Sequence, residues 1–338
     1  MKPKVSIIIP VRTITNYLRD AIPHLKKLKY SNYEVLIITD EEEIFRGLPK
    51  NFKMIPSGKV GPSDKRNLAL RYASGKILAF LDDDAYPRSD WLEKATSDFS
   101  DKNLCGVGGP SITPPNEGFL EKVSGEILSS ALAGGGTYHR HVVGKRMYVD
   151  DYPSVNLFVL FSDFKKVGGF KSEFWPGEDT KLCLDLLEET GKKILYDPLV
   201  VVFHHRRTVF LPHLKQVSRY GMHRGQFAKI FPKNSRKLQY FVPSLFILGL
   251  FFGPLTFFFS RFFFYFYFSV VGLYVILLLN EAVKVFSKEK NILLTFYFIM
   301  GVFLTHLVYG FYFLYGLFKK PKLNLKAVSK KEGKYIEG

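Results

Sequence analysis

The chain has 338 residues, enough for roughly two domains, and is 47% hydrophobic with 33 Phe, more apolar than a wholly soluble protein of ordinary composition. Only Cys105 and Cys183 occur, without metal-site spacing, which fits a reducing compartment and excludes a disulfide framework. The formal charge of +17 calls for an anionic partner or another explanation.

In chain order, "KVSIIIP" and "YEVLIIT" are apolar runs of strand length, and Tyr17, Leu18, Ile22, Leu25 and Leu28 between them have helical spacing. That pattern predicts a βαβ unit. A helix is predicted from Ser63, its cap, to Ala73 and closes at Gly75, leading into a strand at Ile77–Leu81 that is buried on both faces. Gly134, Gly135 and Gly136 predict a flexible loop. In "GEDTKLCLDLLEETG", Leu182 and Leu186 repeat at helical spacing and Gly191 closes the run, so Glu178 and Asp179 stand at a helix start. "LYDPLVVVF" reads as a further strand. The economical architecture is α/β, a mostly parallel sheet covered by helices, whose ligands bind beyond the carboxyl ends of the strands. Pro10, Arg12, Asp40 and the triplet Asp82, Asp83 and Asp84 fall at those ends.

Beyond this, Tyr240–Asn280 carries one charge, Arg261, and Ile292–Phe318 carries none. A run of about 20 apolar residues crosses a bilayer, so the first stretch predicts two closely joined spans and the second predicts one. The N-terminus lacks a signal-peptide pattern, so the part before the spans is expected in the cytoplasm. Basic clusters "HHRR", "HRGQ" and "KNSRK", with the tail "KKPKLNLKAVSKKEGKYIEG", flank the apolar runs, where they meet anionic lipid headgroups rather than nucleic acid. The basic "EAVKVFSKEKN" loop and tail argue for two crossings with "GPLTFFFSR" as a re-entrant bend, whereas apolar length argues for three.

Two acidic clusters carry the chemistry. In an extended chain Asp82 and Asp84 project to one side and Asp83 to the other, a spacing that suits one hard divalent cation; a solvated acidic turn is the plainer alternative. At a helix start the dipole keeps Glu178 and Asp179 ionised, as a base requires, although simple capping uses the same residues.

The ordered set "VSIIIPVR", "YEVLIITD", "GPSDKRNLAL", "ILAFLDDDAYPRSDWLEK", "FKKVGGFKSEFWPGEDTKLCLDL" and "LYDPLVVVFHHRR" resembles the family 2 glycosyltransferases with a GT-A fold. The resemblance implies inverting transfer of a hexose-type sugar from a nucleotide-diphosphate sugar. It implies metal ligation (Mg or Mn) by Asp82 and Asp84, Asp84 most directly, with His204 as a further ligand and His205 its near competitor. Asp83 would touch the donor sugar or ribose, Asp179 would be the general base, and Glu178 would position the acceptor or the loop. Pro10, Val11 and Arg12 would line the donor nucleotide, and Asp40 would pair with the base edge, which leaves UDP and GDP both open. Arg66 and Asn67 match a family motif usually written with alanine where this chain has Lys65, and Arg66 would meet the diphosphate or Asp82. The "TDEEE" after the second strand departs from the commoner pattern. "QVSRYGMHRG" resembles the family's Gln-x-x-Arg-Trp element with Tyr220 in the aromatic place, which in processive synthases lies on an interfacial helix beside the acceptor channel; Gln216 and Arg219 would belong to the substrate-binding residues, with lipid-facing charge the alternative for Arg219 and Arg224.

The implied organisation is a GT-A catalytic domain over 1–236, a transmembrane region over 237–320 and a basic tail over 321–338, in a multi-pass protein of the cytoplasmic membrane. Its acceptor would be lipid-linked or a glycan, of the kind used for cell-envelope polysaccharide or glycolipid. So few spans favour single additions over polymer translocation. Two alternatives keep the fold: a nucleotidyltransferase, with little use for a base at Asp179, and a non-catalytic membrane component of polysaccharide assembly or export.

Overall fold

The computed structural model describes residues 2–175 and 177–319. Six consecutive buried residues make β1 (Val5–Pro10), and β2 (Tyr33–Thr39) pairs with it in parallel, Val5 opposite Tyr33 and Pro10 opposite Ile38. The helix Asn16–Lys26 between them buries Leu18, Ala21, Ile22 and Leu25. Thr15 caps it, its Oγ1 accepting from the Leu18 amide at 3.0 Å. The predicted βαβ unit is formed. β3 (Phe52–Pro56) adds a parallel strand outside β2, and β4 (Ile77–Leu81), buried throughout, pairs in parallel with β1.

The helix predicted from Ser63 to Ala73 is two short helices, Pro62–Asn67 and Ala69–Tyr72. Gly61 holds the N-cap position and Pro62 the first turn, where its missing N–H costs nothing; Ser63 lies inside the helix and does not cap it.

The remaining strands are β5 (Ala85–Pro87), β6 (Leu104–Gly108), β7 (Ser111–Ile112), β8 (Met147–Val149), β9 (Asn156–Leu160), β10 (Lys193–Tyr196) and β11 (Val202–His204). The main sheet runs β3-β2-β1-β4-β9-β6-β10-β8. β9 is antiparallel to both β4 and β6, so the sheet is mixed beyond β4. The single strand expected across "LYDPLVVVF" is broken at Asp197, whose Oδ1 accepts from the Leu199 amide at 2.7 Å. This turn releases β11 from the main sheet to pair antiparallel with β5, His204 opposite Ala85. The break therefore delivers His204 to the aspartates after β4. Asn156 fixes the same region from below: its Nδ2 donates to the carbonyls of Gly109 at 2.6 Å and Val200 at 2.8 Å, and its Oδ1 accepts from buried Trp91 at 2.8 Å.

Asp98, at the end of the helix Trp91–Asp98, accepts from Arg146 Nη2 at 2.5 Å, and Arg146 Nε lies 3.9 Å from Asp197. Burial pushes the Asp98 carboxyl up to about 7, the Asp197 carboxylate adds to the rise, and Arg146 opposes it. An unfolded aspartate ionises near pH ~3.9, so between there and neutrality the native state holds a proton that the unfolded chain releases. Stability therefore falls as pH rises through that window. Asp98→Asn is expected to raise the melting temperature relative to the unaltered protein at pH 8 but not at pH 4. Equal differences at both pH values would show that the proton on Asp98 is irrelevant.

The chain divides into two compact units, one gathering the described residues of Met1–Ser111 and Val143–His204, the other those of Ile112–Val142 and His205–Pro321. Residues 112–142 and 205–236, expected with the catalytic domain, thus cluster with the apolar helices. Glycine contacts within the second unit account for this. A Cβ on Gly225 of the helix Leu211–Ile230 would lie 2.2 Å from the Phe313 carbonyl oxygen, and one on Gly316 would lie 2.1 Å from that of Met222. Close backbone approach of this kind is how small residues join apolar helices.

Three helical segments are long and apolar enough to cross a membrane: Leu238–Phe258, Arg261–Glu289 and Ile292–Phe318. The "GPLTFFFSR" stretch is a 3-10 turn, Gly253–Phe258, followed by Ser260 capping the next helix. The basic "EAVKVFSKEKN" segment is not a loop; the helix continues to Glu289, burying Ala282 and Val285, and ends at Lys290 with φ +51°. The Gly134–Gly136 stretch, expected to be a loop, spans the end of a short helix and the start of a 3-10 turn, Gly135–Arg140. The basic tail at 321–338 lies outside the described residues.

Candidate active site

The carboxyl ends of β1 and β2 are laced together. The Val11 amide donates to Ile38 O at 2.9 Å and the Asp40 amide to Arg12 O at 3.0 Å, so Pro10, Val11 and Arg12 run alongside Asp40. Lys65 reaches this end from the helix Pro62–Asn67, its Nζ donating to Val11 O and to Asp40 Oδ1. The lysine is 2% exposed and the aspartate 20%. An ammonium so enclosed needs these partners, because an unpaired buried charge is costly. Arg12 is exposed.

The second cluster forms around Arg66, which is buried. Its Nη2 donates to Asp82 Oδ1 at 2.6 Å and its Nη1 to Glu178 Oε1 at 3.1 Å, while its guanidinium lies 5.5 Å from the centre of the Phe170 ring. One cation therefore joins the end of β4 to the start of the helix Glu178–Thr190. Burial raises the Glu178 carboxyl and neighbouring Asp179 adds to this, against the pull of Arg66. Asp179 is half-buried, with Oδ1 accepting from the Thr180 amide at 2.8 Å.

Asp83 Oδ2 accepts from Thr15 Oγ1 at 3.2 Å. Burial pushes its carboxyl up to about 6, and the adjacent Asp84 and Asp82 carboxylates reinforce the shift. Asp84 Oδ1 lies 3.1 Å from His204 Nε2. His205 Nδ1 instead lies 2.7 Å from Glu117 Oε1, so His204 is the histidine that accompanies the triplet.

Asn67, the motif residue beside Arg66 expected to serve the donor site, bonds within the fold. Its Nδ2 donates to Phe170 O at 2.9 Å and its Oδ1 accepts from Phe170 N at 2.7 Å. It thereby pins the turn in which Gly168 and Gly169 adopt φ +72° and +75°, the left-handed region where glycine carries no strain. A Cβ on Gly169 would also lie 2.4 Å from Asn67 Oδ1. Asn67 thus positions Phe170 beneath Arg66, and both ends of its amide are occupied in doing so.

Among the described residues no three His, Cys, Asp or Glu side chains form a metal cage. The expected trio is divided: Asp84 faces His204, whereas Asp82 is held by Arg66, whose charge already neutralises it. One carboxylate oxygen and one imidazole nitrogen fit Mg2+ or Mn2+ of the kind that completes its shell with substrate phosphate oxygens and water. Gln216 and Arg219 belong to the second unit, on the helix Leu211–Ile230, where Gln216 Nε2 donates to Tyr220 Oη at 2.8 Å and Arg219 is exposed. Sequence reasoning missed the contact of Thr15 with Asp83 and the pairing of Lys65 with Asp40. Thr15 was signalled as a polar residue just before a helix, and Lys65 as a charge where the family pattern is apolar.

Residues 6–146 match the family model "Glycosyl transferase family 2". A pre-mycofactocin glycosyltransferase of Mycobacterium tuberculosis is 30% identical over 225 residues, 64% of this chain and 46% of that one. The glycosyltransferase AglE of Haloferax volcanii is 29% identical over 189 residues, 52% of this chain and 59% of that one. The chain thus spans about half the length of these curated relatives. A mannosyltransferase from Pyrobaculum calidifontis, solved in complex with GDP-Man and Mn2+, superposes with a TM-score of 0.54 at 16% identity, over 95% of this chain and 89% of that one, and shares its fold. Residues 6–146 thus carry a family 2 glycosyltransferase segment, set in a chain with a GT-A fold.

Proposed function

We propose that this protein transfers one hexose at a time from a nucleotide-diphosphate sugar to a lipid-linked or glycan acceptor, with inversion, at the cytoplasmic face of the cell membrane. The observation that carries the reading is the Arg66 bridge, which ties the acidic end of β4 to the Glu178–Asp179 helix start. The two carboxylate clusters that glycosyl transfer needs are thereby fixed within one assembly. The relatives' printed activities, and the nucleotide sugar and manganese of the structural neighbour, support the same class of reaction.

In this reading Asp179 takes the proton of the acceptor hydroxyl as its oxygen attacks the anomeric carbon, and the diphosphate departs from the opposite face. Asp84 and His204 would hold the divalent cation, with Asp82 alongside, and the cation would offset the charge building up on the diphosphate. Asp83, tied to Thr15, would face the donor sugar or ribose. Glu178 orients the helix start through Arg66, and Pro10, Val11, Arg12 and Asp40 would receive the nucleoside. Gln216 and Arg219 would contact the acceptor, and the three apolar helices would hold the enzyme where a lipid-linked acceptor lies.

The test uses the full chain in detergent with Mn2+, a panel of UDP- and GDP-sugars and a membrane lipid extract. The expected result is release of nucleoside diphosphate together with a lipid product heavier by one hexose. Formation of UTP or GTP and sugar 1-phosphate from the same donors when pyrophosphate is added would identify nucleotidyl transfer instead, and no reaction with any donor would leave the non-catalytic alternative standing.

A further inference from the structure

We infer that Lys65 sets the base preference of the donor site, favouring a uracil-type base over guanine; this rests on the proposed function, which places the nucleoside at Val11 and Asp40. The acceptors at this strand end are nearly all committed. Val11 O and Asp40 Oδ1 both accept from the Lys65 ammonium, and Arg12 O accepts from the Asp40 amide. Thr39 O accepts from the Ser57 amide and hydroxyl, both at 2.8 Å. Among these acceptors the least committed is the second carboxylate oxygen of Asp40, on a side chain that is 20% exposed.

The Watson–Crick edge of guanine offers two adjacent donors, the ring N–H and the amino group, and a carboxylate satisfies them only with both oxygens side by side, as it satisfies the fork of an arginine. With Oδ1 already accepting from the Lys65 ammonium, one guanine donor has to share that oxygen with the lysine, which draws the carboxylate toward itself and away from the base. Uracil, like thymine, offers a single ring N–H between two carbonyls, and one carboxylate oxygen suffices for it. A hydrogen bond lost or weakened in this way costs about tenfold in binding. Lys65 is 2% exposed, so the restriction is built into the fold.

Calorimetry on the full chain in detergent with Mn2+ tests this by comparing UDP with GDP. UDP is expected to bind about tenfold or more tightly. Lys65→Met keeps the stem, removes the ammonium and frees Oδ1, and is expected to bring the two affinities to within about threefold of one another. Equal or tighter binding of GDP by the unaltered protein overturns the inference, with no variant needed. An unchanged ratio in a Lys65→Met protein that melts at the same temperature overturns the role of Lys65. Binding of neither nucleotide overturns the donor-site reading on which both stand.

Discussion

Asp179→Asn is expected to lower turnover by at least ~100-fold while nucleotide affinity stays within about twofold of the unaltered protein, since a positioned general base contributes about two to four orders of magnitude. The separation between the two readouts follows from where the carboxylate sits. Asp179 Oδ1 accepts from the Thr180 amide, a bond that an asparagine oxygen makes equally well, so the helix start is retained. The bridge from Arg66 goes to Glu178 rather than to Asp179, so the link back to Asp82 is untouched. What the substitution removes is the negative charge, and with it the ability to take a proton. Calorimetry with the nucleoside diphosphate and a turnover assay on the same preparation read the two properties apart. Loss of both together would show that Asp179 serves the architecture and that the base lies elsewhere.

The framework of this site is legible in the sequence where structure is local. The fully apolar runs of β1, β2 and β4 place their carboxyl ends, and the Leu182/Leu186 spacing with a terminal glycine places Glu178 and Asp179 at a helix start. What is not legible is decided between distant segments. Arg66 and Glu178 are 112 positions apart, and nothing in either stretch specifies that they meet. Lys65 looks like a solvated helix charge until the packing of β1 and β2 encloses it. The antiparallel β9 escapes because "NLFVL" carries no direction, and pairing with both β4 and β6 is a tertiary choice. The apparent loop "EAVKVFSKEKN" is misread because its charges dominate the eye, whereas its Ala282 and Val285 face inward and Lys288 pairs with Glu126. The break at Asp197 was written in its proline neighbour, yet the apolar residues on either side make one strand of two.

Asp84→Ala is expected to reduce transfer by on the order of 100- to 1,000-fold, the scale attached to losing one group that stabilises developing charge, and to abolish Mn2+ binding measured by titration in the presence of nucleoside diphosphate. The argument turns on how the triplet is shared out. Asp82 already has a permanent cation in Arg66, and Asp83 is tied to Thr15, so of the three only Asp84 stands against an imidazole, at 3.1 Å from His204 Nε2. Removing it leaves His204 as a single imidazole ligand, too weak alone for a hard divalent cation. Asp82→Ala has a different signature: it leaves Arg66 paired with Glu178, so activity falls through misplacement of the Arg66 bridge while Mn2+ affinity drops less than in Asp84→Ala. EDTA on the unaltered protein should reproduce the Asp84→Ala defect and add nothing to it. Full Mn2+ binding and transfer by Asp84→Ala would sink the assignment, and equal loss of Mn2+ in both variants would return Asp82 to the ligand set, with Arg66 displaced from it when the cation binds.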